Sequence, residues 1–308
     1  ANENALKLAS FYNGRTRINK DKKAFNVPYE LYLDDVLVAQ SNVNSFKINK
    51  YKLWDINSPI LYILKTTIVS EFGKETYTNK FGFRTIRFEK DGFYLNDKKI
   101  KLIGLNRHQS YPYVGYAMPK SMQEDDAILL KYEAGVNVVR TSHYPQSAHF
   151  LNKCDEIGLL VINEIPGWQH IGKSKTWRNQ HYENVKSMVI EEYNHPSLIS
   201  HGVRIDESQD DQKLYSKSNE IVHTLDNTRP TLGVRNFKNS ELLEDIYAYN
   251  DFICKDLSKG LDNPKNIKSL GKPYLVTEYL GHMEPTKATD SEKQRIYHAK
   301  RHALVVND

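Results

Sequence analysis

Asn137-Val138-Val139-Arg140-Thr141, a helix-like stretch through Leu151 and Cys154 that stops at Gly158, and then Leu159-Leu160-Val161-Ile162-Asn163 form the run whose reading decides the fold. Both flanking runs have strand length, and the second is almost continuously apolar, the pattern of a strand buried on both faces. Two such strands lie parallel only if a crossover joins them, and the helix between supplies it. The same alternation extends outward in both directions. Upstream come a strand at 102–105 and a helix at 121–134, in which Ser121 and Glu124 make a capping box and Gly135 the stop. Downstream, an amphipathic stretch at about 179–193 ends at Asn194-His195-Pro196 and leads into a strand at 198–205. A helix at 212–225, strands at 231–234, 245–249 and 273–277, and a helix from about Ser291 follow. The repetition predicts a (β/α)8-type TIM barrel at 88–308 that runs out of sequence after its seventh strand.

Before residue 88 the period is different. Segments with strand character at 5–12, 29–33, 36–40, 60–70 and 75–87 alternate with polar turns such as Asp34-Asp35. They predict a small antiparallel β-sandwich at 1–87, so the fold class is mixed β and α/β.

Composition narrows the function classes. The 308 residues are 39% hydrophobic, enough for a full core in one large or two smaller domains. Forty-three Lys and Arg against 38 Asp and Glu give a net charge of +5. That charge is spread along the chain apart from short runs such as 20–23, so nucleic-acid binding has no support. Two cysteines without paired spacing, Cys154 and Cys254, build neither a disulfide framework nor a metal site. No run reaches membrane-spanning length, and Ala1-Asn2-Glu3-Asn4 opens no leader pattern. The expectation is a cytoplasmic protein, or a periplasmic or secreted one if a signal has been removed.

Two glutamates carry the chemistry. Glu207 closes Gly202-Val203-Arg204-Ile205-Asp206-Glu207 and Glu278 closes Pro273-Tyr274-Leu275-Val276-Thr277-Glu278. Carboxylates at the C-terminal ends of barrel strands stand where this fold does its chemistry. A pair of them suits glycoside hydrolysis, in which one protonates the departing oxygen and the other attacks or activates water.

These residues carry a resemblance over nearly the whole chain. Leu53-Trp54, Phe81-Gly82-Phe83-Arg84, Gly92-Phe93-Tyr94-Leu95-Asn96, Gly104-Leu105-Asn106-Arg107-His108, Arg140-Thr141-Ser142-His143-Tyr144-Pro145 and the two glutamate motifs, in order and spacing, resemble glycoside hydrolase family 2, above all its β-galactosidase members. The resemblance implies an immunoglobulin-like domain followed by a catalytic barrel. It also implies a retaining β-glycosidase acting on terminal β-linked galactose, with Glu207 as general acid/base and Glu278 as nucleophile. Glucuronidases and mannosidases of the family share the motifs. The resemblance further implies that Arg107 projects toward Glu278 and keeps it ionised, and that His143 donates to sugar hydroxyls. Asp206, Asn250, Trp168 and His282 complete the substrate-binding set.

The chain also departs from the family pattern. Asp206 stands where the family has Asn; it accepts a sugar hydroxyl but cannot donate, and its charge is expected to raise the proton affinity of Glu207. His170 matches a metal ligand of some members, but Trp168 occupies the place of its Glu partner, so no metal or cofactor is expected. Phe252 falls where the family has a tyrosine that bonds the nucleophile, and Tyr249 or Asn250 is the substitute. A barrel that stops at seven strands leaves the edges at 102–105 and 273–277 open, which invites a homo-oligomer and weak activity. It also leaves open a non-catalytic sugar-binding or scaffold role.

Overall fold

The computed structural model describes residues 27–43, 45, 48–70, 73–254, 257–267, 271–280 and 287–307. The expected strand at 5–12 and His282 lie outside the described residues.

Strands β1 (Tyr29–Leu33), β2 (Val36–Ser41), β3 (Tyr62–Ser70) and β4 (Gly73–Phe81) form an antiparallel sheet in the order β2, β1, β3, β4. Period-two alternation puts Tyr29 and Leu31 of β1 and Tyr62 and Leu64 of β3 on one buried face, packed with Phe83. Asp34 and Asp35 both take positive φ, 49° and 62°, as the tightest β1–β2 hairpin turn requires. The single strand read at 75–87 is interrupted. β4 ends at Phe81, and β5 (Ile86–Glu89) starts a separate sheet with β6 (Gly92–Leu95) and β7 (Lys98–Ile100). Gly82 sits at the break because a Cβ there would lie 2.7 Å from that of Trp54.

This three-stranded sheet closes the floor of the barrel. Phe93 and Leu95 of β6 pack with Trp54 against Val138, Leu160, Ile162, Ile199, Leu232, Val234, Ile246 and Ala248. Trp54 is fully buried, and its indole N–H donates to the Asp155 carbonyl at 2.8 Å. Arg84 donates to the Pro196 carbonyl at 2.6 Å and also to that of Leu198. These contacts anchor the antiparallel part to the barrel.

The barrel strands are β8 (Gly104–Arg107), β9 (Val138–Thr141), β10 (Leu160–Glu164), β11 (Leu198–Gly202), β12 (Thr231–Arg235), β13 (Ile246–Asp251) and β14 (Tyr274–Tyr279). They are parallel and adjacent in chain order, the pattern of a TIM barrel following an immunoglobulin-like domain. Among the described residues no backbone ladder joins β8 to β14, although the Asn106 amide donates to the Thr277 carbonyl at 3.1 Å. Ile103 and Leu105 beside that gap are exposed.

Helices α1 (Lys120–Ile128), α2 (Ala148–Ile157), α3 (Lys175–Glu192), α4 (Gln212–Leu225) and α5 (Glu292–Asn307) accompany the strands. α2 ends at Gly158 in the left-handed conformation that glycine adopts without strain. The capping box expected at Ser121 does not form. Pro119 is the extended residue before α1, so Ser121 already lies inside the first turn, and Leu129–Glu133 continue as a π-helical turn. Among the described residues no helix is long and apolar enough to cross a membrane.

Candidate active site

Strand parity builds the site. On β9, Val138 faces the barrel interior and Val139 packs outward against α2, so Arg140 faces inward again. On β10, Leu160 and Ile162 face inward, which brings Glu164 to the inside of the mouth. Gly202 of β11 leaves room for it, since a Cβ there would sit 2.7 Å from the Glu164 Cγ.

Arg140 is the hub, with only 4% of its side chain exposed. Its Nε and one terminal nitrogen donate to the two carboxylate oxygens of Glu164. That terminal nitrogen also donates to Asp206 Oδ1 at 2.7 Å, and the other donates to Glu278 Oε1 at 2.6 Å. His143 Nδ1 lies 3.2 Å from Glu164 Oε2, and His143 Nε2 lies 3.6 Å from Asp206 and 4.0 Å from Glu278. One guanidinium therefore serves three carboxylates. Burial pushes Glu164 up, but the Arg140 charge and the bonds from His143 and Arg140 bring it below the usual range. Burial pushes His143 down, but the bond to Glu164 and the charges of Asp206 and Glu164 raise it overall. Asp206 receives less from Arg140 and loses most to burial, which carries it up to about 7.

Glu207 is held differently. Its φ of +52° turns the chain just past Asp206. Its carboxylate accepts from Trp168 Nε1 at 3.2 Å, Gln169 Nε2 at 3.1 Å and Asn250 Nδ2 at 3.0 Å. Asn250 is itself oriented by the Thr277 hydroxyl, which donates to its Oδ1 at 2.9 Å.

Two expectations are corrected. Arg107 does not reach Glu278. Asn106 pairs in register with the inward Arg140 and Arg107 with Thr141, so Arg107 points outward among the helices. There it donates to Asp126 at 2.6 Å, Gln123 at 2.9 Å and Gln146, and lies over the Phe150 ring. Arg140 takes the place that was expected for it. Asn250 donates to Glu207 and not to the nucleophile candidate. Asp206 turns to Arg140 and His143, while Glu207 turns to neutral amide and indole donors, so the carboxyls of these adjacent residues have separate partners.

The sequence reading missed Arg140 and Glu164 as site residues. Their signal was present: each is a charged side chain at inward parity in an apolar strand, where an unpaired charge does not survive. His143, Asp206 and Glu278 are brought together, with one ligand atom of each within 4.8 Å of the others. Trp168 and Asn250 meet at Glu207. His170, in contrast, is exposed.

The state of Asp206 has a measurable consequence. Its carboxyl is almost wholly buried and its folded pKa lies above the unfolded value of about 3.9. Between about pH 4 and pH 7 the folded chain keeps a proton that the unfolded chain has released, so stability falls as pH rises through that window. Asp206→Asn removes the titrating group. In thermal melts the variant is expected to gain on its parent by roughly 2 °C or more on going from about pH 5 to about pH 8. An offset that does not change with pH would contradict the buried proton.

The comparisons with known proteins agree with this fold. The family model described as "Glycosyl hydrolases family 2" matches residues 13–84, and that of "Glycosyl hydrolases family 2, TIM barrel domain" matches residues 86–303. The chain belongs to glycosyl hydrolases family 2. A β-galactosidase of Thermoanaerobacterium thermosulfurigenes is 51% identical over 291 residues, covering 93% of this chain and 40% of that protein. A β-galactosidase of Thermoanaerobacter pseudethanolicus is 49% identical over 265 residues, covering 85% of this chain and 35% of that protein. The chain thus spans 40% or less of the length of these relatives. Among solved structures, a β-D-glucuronidase of Dictyoglomus thermophilum superposes with a TM-score of 0.79 over 92% of this chain and 56% of that one. At 24% identity that likeness is one of fold.

Proposed function

We propose that the chain carries the catalytic glutamates of a retaining β-galactosidase, with Glu278 as nucleophile and Glu207 as acid/base. The observation that supports this most is the different company of the two carboxyls. Glu278 accepts from a guanidinium at 2.6 Å, which offsets its charge, whereas Glu207 accepts from uncharged N–H groups. In this reading Glu278 attacks the anomeric carbon as Glu207 protonates the departing oxygen. Water that is deprotonated by Glu207 then opens the glycosyl ester with retention. His143 and Asp206, beside Glu278, meet the sugar hydroxyls. The reaction uses no cofactor.

Identity to β-galactosidases supports galactose as the sugar. The division of labour falls at 1–87 for the immunoglobulin-like domain and 88–308 for the catalytic one. Cys154, a thiol buried in the core, suits a reducing cytoplasm, and self-association belongs to the same reading. A panel of 4-nitrophenyl β-glycosides tests it, assayed on the 308-residue chain and on the chain extended with a relative's C-terminal sequence. Galactoside is expected to turn over fastest; preference for glucuronide or mannoside, or no turnover by the extended chain, would overturn the reading.

A further inference from the structure

Trp168 combines features that an incidental surface residue does not. It is 59% exposed, although a tryptophan is among the costliest side chains to leave in water. Its backbone is fixed on both sides. Gly167 N–H donates to the His143 carbonyl at 3.1 Å and Gln169 N–H to the Asp206 carbonyl at 2.7 Å, while Trp168 itself bridges Asp206. Gly167 and Gln169 both take positive φ, 139° and 56°, so the chain turns sharply on either side of the ring. Gly167 also packs close to Ile205, where a Cβ would approach to 3.2 Å. The indole N–H meanwhile donates to Glu207 Oε2 at 3.2 Å. A rigid loop therefore presents a large apolar face to solvent beside one of the two functional carboxyls.

We propose that Trp168 is the platform of a subsite for the leaving group, on which the pyranose ring of the departing sugar stacks while Gln169 borders it. This rests on the assignment of Glu207 as acid/base. The acid must reach the oxygen between the two sugars, so a ring surface bonded to Glu207 lies on the departing side of that oxygen, and Glu278 and His143 lie on the other. An indole face suits the C–H face of a pyranose, since aromatic surface and a flat apolar patch bury each other without stranding a hydroxyl. Gln169 Nε2 donates to Glu207 at 3.1 Å, and its amide oxygen is an acceptor for a hydroxyl of the same ring. The hydrogen bond from the indole adds a second duty: the ring that holds the leaving group also orients the carboxyl that protonates it.

Binding measured in a Glu278→Gln background, where no turnover intervenes, separates the subsite from the chemistry. Calorimetry compares lactose, which has a leaving sugar, with methyl β-galactoside, which has none. Lactose is expected to bind roughly three- to tenfold more tightly. Trp168→Ala is expected to bring that ratio close to one with little change for methyl β-galactoside, and Trp168→Phe, which keeps a ring, to preserve most of it. A ratio that persists in Trp168→Ala, or an equal loss for both ligands, would overturn the platform. A Trp168→Ala chain that melts far below its parent would overturn it too, because the ring would then be structural. If neither galactoside binds, phenyl and methyl β-glucuronide replace the pair. A phenyl advantage abolished by Trp168→Ala then supports the platform while the galactoside reading falls, and an advantage that persists, or no binding of any of the four, overturns the platform.

Discussion

Glu278→Gln is expected to abolish turnover of every glycoside, whereas Glu207→Gln is expected to spare those with good leaving groups. Without the carboxylate no glycosyl ester forms, so the loss in Glu278→Gln does not depend on the leaving group. In the proposed roles Glu207 contributes a proton, and a nitrophenolate leaves without one. Glu207→Gln should therefore lose about 100- to 10,000-fold on lactose and far less in the first step on a nitrophenyl substrate. Replacing this carboxylate by a neutral amide also removes the negative charge from the face on which water attacks the intermediate, so that an anion can approach it. Added azide is then expected to restore turnover in Glu207→Gln and to give the β-glycosyl azide. The structure supports this assignment through its separate bonding sets, since neither substitution disturbs the partners of the other: Glu278 bonds Arg140, while Glu207 bonds Trp168, Gln169 and Asn250. Product analysis and rates on both substrate types decide it. An α-azide from Glu207→Gln, or retained turnover in Glu278→Gln, would reverse or dismiss the roles.

The barrel could be read from the sequence because its strands are short apolar runs separated by helices with clear stops, such as Gly158 after α2. The two glutamates stood out because each ends such a run. The choice between two arginines could not be settled this way. Arg107 and Arg140 lie on neighbouring strands, and which one faces the interior depends on where β8 begins. The apolar run at 102–105 suggested a start two residues before the observed Gly104, and nothing in the run fixes parity against the next strand. Val138-Val139-Arg140 carried the answer, since an inward Val138 requires an inward Arg140. The floor sheet escaped notice for a different reason. β5, β6 and β7 have four, four and three residues, and what gives Phe93 and Leu95 their role is the barrel interior that they seal, contributed by residues distant in sequence. The partners of Glu207 come from loops after β10 and from β13, a meeting that no local pattern encodes.

Arg140→Met is expected to cost about 3 to 5 kcal/mol of stability, because it removes the positive partner from a buried group and leaves its acidic partners behind. Glu164 and Asp206 have side chains 2% and 1% exposed, so water cannot replace the guanidinium. For a chain of this size the loss corresponds to a drop of roughly 6 to 20 °C in melting temperature. The pH dependence distinguishes lost charge from lost packing. In the parent, Arg140 holds Glu164 below its usual range; without it the folded-state pKa of Glu164 rises above the unfolded value, as that of Asp206 already does. Folding then retains protons that the unfolded chain releases, so the deficit of Arg140→Met should be smallest near about pH 4 and grow toward about pH 8. Arg140→Lys keeps a positive charge but not the planar fork, and one ammonium cannot reproduce four bonds to three carboxylates. It is expected to recover part of the stability and little of the activity. Combining Arg140→Met with Asp206→Asn should cost less than the two single changes added together, since one of the abandoned charges is then gone. Melting curves of these variants across that pH range are the measurement. A deficit independent of pH, or strict additivity in the double variant, would mean that Arg140 acts by filling space and not as the shared counter-charge of the site.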